Sequence, residues 1–177
     1  MDGPVYYETP HRFYDERGFF QELFNGPRIG HPLPEEMAQV NHSRSKKGVL
    51  RGMHWQKPNP VGKYITCLRG HILDVVVDIR RSSPTFKEWK GYKIDAEEGQ
   101  ALWVPEGFAH GFLVTSPVAD VIYVQSKAFN QESDRALRWN DAEVAIEWPE
   151  MRGEYTISEK DRNAPLLSEL SEEALFD

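Results

Sequence analysis

Two histidines end matched glycine-led stretches of this 177-residue chain. His54 closes Gly48-Val-Leu-Arg-Gly-Met-His54, and His110 closes Gly99-Gln-Ala-Leu-Trp-Val-Pro105-Glu-Gly107-Phe-Ala-His110. Each histidine follows a glycine, five residues and a short turn or strand, so one cavity can receive both imidazoles. Imidazole offers two chemistries there: metal ligation, or proton transfer near neutral pH. Ligation needs three or four converging donors. Only His54 and His110 can be assigned, and no glutamate stands at the spacing that would complete the set. The expectation is a site without metal, in which His54 is a general base.

Other residue types could serve such a base. Arg51 lies three residues before His54, so a regular strand would put the two on opposite faces; a bend at Gly52 would bring them together. Lys63 follows Gly62 at a strand start, where its charge could stabilise an enolate. Tyr123 could deliver a proton from the side opposite His54. Asp161 could orient the His54 ring and raise its basicity. Taken singly, the tyrosine reads as packing, the lysine as a surface charge and the aspartate as a turn residue.

The second glycine-led stretch has the spacing of a cupin half-motif, G-x5-P-x-G-x-x-H. The first resembles the other half, G-x5-H-x-H, with Trp55 where a second histidine would stand. The elements that must hold these residues are strands. Runs rich in Val, Ile, Tyr and Trp fall at Lys63 to Arg69, His71 to Ile79, Trp89 to Ile94, Gln100 to Val104, His110 to Val114 and Asp120 to Gln125, with Gly, Pro and Asp turns between them. This pattern predicts an all-β jelly-roll barrel with short peripheral helices, forming a single domain over 1–177. The mouth of such a barrel is a natural ligand pocket. Short helices are expected at Pro34 to Ala38 and at Ser168 to Leu175. The polar connection from Lys127 to Arg138 reads as a mobile loop, and the acidic end from Ser168 to Asp177 as a solvated helix or frayed tail.

Composition narrows the partners. The net charge of −7 disfavours nucleic acid, which needs a basic footprint, yet local arginines can still hold a small anion. No apolar run is long enough to cross a bilayer. The start of the chain lacks a basic region followed by an apolar one, and Cys67 is the only cysteine. The expected setting is a reducing cytoplasm.

Taken together, the stretches Arg17 to Glu22, Asn41 to Ser45, Gly48 to Gln56, Asp74 to Phe86, Gly107 to Leu113, Arg138 to Asp141, Glu147 to Pro149 and Ser158 to Asp161 resemble the dTDP-4-dehydrorhamnose 3,5-epimerase family. The resemblance implies a cupin-like double-stranded β-helix (jelly roll) and a homodimer, without metal or organic cofactor, that epimerises a dTDP-4-keto-6-deoxy sugar. It implies His54 as base, Tyr123 as proton donor, Asp161 as support for the histidine and Lys63 near the keto oxygen. It implies substrate contacts from Arg17, Glu22, Gln39, Val40, Asn41, Arg51, His110 and Lys160. Three positions depart from the family pattern. Phe129 replaces a tyrosine that stacks on thymine, Asp134 replaces a contacting glutamate, and Met53-His54-Trp55 replaces Leu-His-Tyr, which could reshape the pocket.

The leading expectation is a 3,5-epimerase acting on dTDP-4-dehydro-6-deoxy-D-glucose. An epimerase that inverts only C3 or only C5 is the alternative. A metal-dependent cupin and a non-catalytic nucleotide-sugar-binding module are more distant readings.

Overall fold

The computed structural model describes residues 5–25 and 37–177. Strands are numbered in chain order. One sheet runs β1 (Tyr6–Glu8), β9 (Ala101–Val104), β6 (Lys63–Arg69), β11 (Val118–Gln125) and β4 (Gln39–Lys46). The other runs β12 (Asp134–Ala136), β5 (Val49–Gln56), β10 (Phe108–Val114), β7 (His71–Asp78) and β8 (Trp89–Asp95), with β13 (Thr156–Ile157) parallel to β5. A separate hairpin pairs β2 (Arg12–Asp15) with β3 (Gly18–Gln21). The two large sheets face each other as a jelly roll, and the all-β expectation holds. Among the described residues no helix is long and apolar enough to cross a membrane.

Strand alternation sorts the side chains. Ile65, Cys67, Ile72, Val76, Leu102, Val104, Phe112 and Val121 meet between the sheets as the main core. Val75 and Val77 point the other way, into a second cluster with Met53, Trp55, Leu137 and Leu175. Because β7 is covered on both faces, its sequence is apolar without a break from Val75 to Val77.

The cover on the outer face includes the C-terminus, which corrects the expectation of a solvated tail. Two 3-10 turns, Leu167–Glu169 and Glu172–Ala174, stand where a helix was expected. The last residues are docked. The Trp55 indole N–H donates to the Ala174 carbonyl at 2.8 Å, Arg81 N–H donates to the Phe176 carbonyl at 2.7 Å, and Leu175 is buried. Burying that leucine contributes about 1.5–3 kcal/mol, which outweighs the solubility of the flanking glutamates. The connection from Lys127 to Arg138 is also ordered: Asn130 caps a 3-10 turn (Gln131–Ser133), and β12 pairs with β5. Of the helix expected near Pro34, residues 34–36 lie outside the described residues, and Met37 and Ala38 carry no helix.

Candidate active site

The open end of the jelly roll holds a cavity of about 730 Å³ between the two sheets. One wall is β5 and β10, which carry His54 and His110 directly opposite each other in register. The facing wall is β6, β11 and β4, which carry Lys63, Tyr123, Gln125, Asn41 and Gln39. Asp134, Phe129, Lys160 and Asp161 close the rim.

The first wall depends on a fault in the ladder. β5 advances three residues from Arg51 to His54 while β10 advances two from Phe112 to His110. This bulge resets the alternation, so Arg51 and His54 both face the cavity. The expected bend at Gly52 is therefore present. Gly52 has φ +120°, and a Cβ there would lie 2.5 Å from the Gly111 Cα. A Cβ on Gly111 would lie 2.7 Å from the Arg51 carbonyl oxygen. Glycine is needed at both positions for the strands to approach this closely. Past the bulge, Met53 and Trp55 send their side chains into the cluster behind β5. Met53 thus differs from Leu through packing behind the strand, whereas Trp55 packs there and also lines the cavity.

His54 is held from behind. Its Nε2 lies 2.6 Å from Asp161 Oδ1, and the other carboxylate oxygen accepts the Gly52 N–H at 3.2 Å. Asp161 arrives there because β13 runs parallel to β5 and leads into a one-turn helix, Glu159–Arg162, capped by Ser158. Burial alone would raise the Asp161 carboxyl, but the hydrogen bonds from His54, Gly52 and Ser158 hold it below its ordinary value. A carboxylate that fixes one ring nitrogen leaves the other for proton transfer.

His110 repeats the arrangement more deeply. Its Nε2 lies 2.9 Å from Asp74 Oδ2 on β7, and Asp74 is fully buried. Asp74 Oδ1 has no hydrogen-bond partner among the described residues. Burial raises the Asp74 carboxyl above its ordinary value, with His110 and Lys63 opposing the rise. Sequence reasoning did not single out Asp74. The available signal was a carboxylate inside the apolar run from Ile72 to Val77.

Lys63 sits deep on the facing wall. Loss of water pushes its ammonium down to about 8, with Asp74 and Asp134 partly offsetting the effect. Arg51 donates to Ser45 Oγ at 3.1 and 3.2 Å, which leaves most of its fork unused. Lys160 pairs with Asp134 across the rim.

Three expected contact residues stand apart. Val40 points out of β4 and is 64% exposed, because only Gln39 and Asn41 share the inward face of that strand. Arg17 caps the β2–β3 hairpin with its side chain exposed and paired to Asp15, and Glu22 follows that hairpin. None of the three is among the described residues that line the cavity.

An imidazole on one sheet, facing a phenol and a largely desolvated cation on the other, forms an arrangement suited to moving protons to and from carbon. The family model described as dTDP-4-dehydrorhamnose 3,5-epimerase matches residues 3–169. A dTDP-4-dehydrorhamnose 3,5-epimerase from Shigella flexneri is 45% identical over 159 residues, covering 87% of this chain and 86% of its own. The crystal structure of dTDP-6-deoxy-D-glucose-3,5-epimerase from Legionella pneumophila, in complex with dTDP-4-keto-L-rhamnose, superposes with a TM-score of 0.92 at 39% identity, covering 98% of this chain and 93% of that one. A 3'-monoepimerase from Streptomyces bikiniensis, in complex with dTDP-quinovose, superposes with a TM-score of 0.86 at 33% identity over 93% of this chain and 84% of that one. On this evidence the chain belongs to the dTDP-4-dehydrorhamnose 3,5-epimerase family of isomerases.

Proposed function

We propose that this protein inverts C3 and C5 of dTDP-4-dehydro-6-deoxy-D-glucose to give dTDP-4-dehydro-L-rhamnose. The observation that carries the reading is the placement of His54 and Tyr123 on opposite walls of one cavity, with Asp161 behind the histidine. A hydrogen on carbon beside a ketone is acidic because the electron pair left behind spreads onto the oxygen. The 4-keto group activates both neighbours in this way. His54 takes the proton through the ring nitrogen that Asp161 leaves free. The electron pair moves into an enolate, whose oxygen Lys63 and His110 stabilise. Tyr123 returns a proton to the opposite face, which inverts the centre. The Tyr123 oxygen and the His54 ring then exchange protons with solvent before the second carbon reacts.

Arg51 suits the pyrophosphate, because its guanidinium fork matches phosphate oxygens. The Phe129 ring, exposed at the rim, stacks on the thymine. Gln39, Asn41, Asp134 and Lys160 supply further polar contacts. Arg17 and Glu22 reach a substrate from the hairpin of a second copy. Phe13, Tyr14, Phe19 and Phe20 on that hairpin are each more than half exposed, an apolar surface that a homodimer would cover. Val40 is exposed on β4 and contributes to that junction in place of the cavity.

An epimerase for one carbon alone is the second reading, favoured by the likeness to the S. bikiniensis monoepimerase. Incubation with dTDP-4-keto-6-deoxyglucose in deuterated water separates the two. Deuterium at both C3 and C5 is expected; label confined to one carbon would establish the monoepimerase.

A further inference from the structure

Two glutamines from opposite walls grip consecutive amides of the rim loop. Gln39 Oε1 on β4 accepts the Phe129 N–H at 2.8 Å, and Gln56 Oε1 on β5 accepts the Asn130 N–H at 2.7 Å. Both side chains are fixed in turn. The Gln56 amide donates to the Asn59 carbonyl at 3.1 Å, and Gln56 is only 5% exposed. The Gln39 amide donates to Asn41 Oδ1 at 2.8 Å, and Asn41 donates to Gln125 Oε1 at 2.7 Å. Each amide thus has its oxygen aimed at the loop by its own nitrogen's bond. The loop between them presents Phe129 at the cavity rim with its ring half-exposed and no core to hold it.

We propose that Gln56 is a positioning residue for nucleotide recognition, clamping the Phe129 loop together with Gln39 so that the ring stands ready for the base. The inference rests on the reading of Phe129 as the base-stacking residue. A ring on a free loop must be ordered when the nucleotide arrives, and that ordering opposes binding. A ring held in advance avoids the loss. The two grips come from different sheets, so the loop is fixed against both walls of the cavity. Gln56 itself lies on the strand of the catalytic base, two residues from His54. Its effect is nonetheless directed at the nucleotide end of the substrate, away from the reacting carbons.

The test is a double-mutant cycle with dTDP as the titrant, using Gln56→Met, Phe129→Ala and the combination, with steady-state kinetics on the dTDP-4-keto sugar alongside. Gln56→Met should weaken dTDP binding about tenfold, equivalent to about 1.4 kcal/mol. It should raise KM by a similar factor and change kcat less than about twofold. On the Phe129→Ala background it should add less than about a twofold further loss. The proposal is overturned if Gln56→Met leaves dTDP affinity intact, if its effect is undiminished without the ring, or if kcat falls in place of affinity. Unchanged dTDP binding in Phe129→Ala alone would instead remove the stacking assignment on which the inference stands. Hydrogen exchange on the wild-type protein requires no variant to fold: the Phe129 and Asn130 amides should be protected before any ligand is added, and free exchange at both would overturn the clamp.

Discussion

Replacing Lys63 by methionine should make the protein more stable and far less active. The ammonium is driven from its ordinary 10.5 to about 8 by burial, a difference of about 2.5 units. At 1.36 kcal/mol per unit, the folded state bears about 3 kcal/mol for holding that charge at neutral pH. Methionine matches the stem and removes the charge. The attraction of Asp74 and Asp134 is already contained in that difference, so the gain at pH 7 should be about 1–3 kcal/mol in urea unfolding. The sign with pH follows from the direction of the shift. Below pH 8 both folded and unfolded chains carry the proton, and the whole cost is present. Between pH 8 and 10.5 the folded chain releases it first, so wild-type stability should rise across that window through this group, and the advantage of the variant should shrink. Activity should move the other way. At pH 7 about ten lysines in eleven are charged, and loss of a donor at a developing oxyanion costs about 10²–10³ in kcat. The wild-type rate should fall on the alkaline side near pH 8, and the variant should lack that limb. A Lys63→Met protein that is less stable than wild type at pH 7, or whose stability difference from wild type stays constant up to pH 10.5, would refute the assignment of a desolvated, catalytic ammonium.

Asp161→Asn should lower kcat by about 10²–10⁴ while leaving dTDP affinity within about twofold, since the amide misdirects the His54 tautomer without touching the nucleotide; an equal loss of affinity would contradict this. Gly52→Ala should destabilise by about 2–5 kcal/mol in thermal or urea unfolding, because the added carbon meets the Gly111 backbone at 2.5 Å in a left-handed conformation; a change under about 0.5 kcal/mol would show that the strands do not approach so closely. Arg17→Ala and His54→Ala proteins should each be inactive alone. Mixed and reassociated at random, the preparation should recover about a quarter of wild-type activity if the hairpin serves the partner's cavity, because half of the dimers are mixed and each of those has one intact site; no recovery would place Arg17 in its own chain's site.

Much of the fold was legible because turn residues and β-branched runs alternate from Lys63 onwards: β6 and β7 fall within a residue of the expected limits. The β2–β3 hairpin and β4 were not read as strands. β4, Gln39-Val-Asn-His-Ser-Arg-Ser-Lys46, is polar because its inward face lines a cavity in place of a core. The C-terminal turns were misread for the opposite reason: Ser and Glu surround Leu175 and Phe176, and spacing alone cannot say that these two dock. His54, Tyr123, Lys63 and Asp161 gather around one cavity as expected, but their grouping came from the resemblance, not from spacing. Arg51 beside His54 required the bulge, which ordinary strand alternation excludes. Neither the part of Asp74 nor the loop contact of Gln56 is legible in the sequence, because what they hold, His110 and the Asn130 amide, is remote along the chain.

The extra residue in β5 has an evolutionary consequence. Upstream of Gly52 the odd positions Val49 and Arg51 look inward; downstream the even positions His54 and Gln56 do. The phosphate capture proposed for Arg51 and the proton abstraction proposed for His54 therefore stand in a fixed phase across one irregular step. Adding or losing one residue between Arg51 and His54 would turn one of the two away from the sugar nucleotide, so this short interval is where descendants of the fold have the least freedom in length.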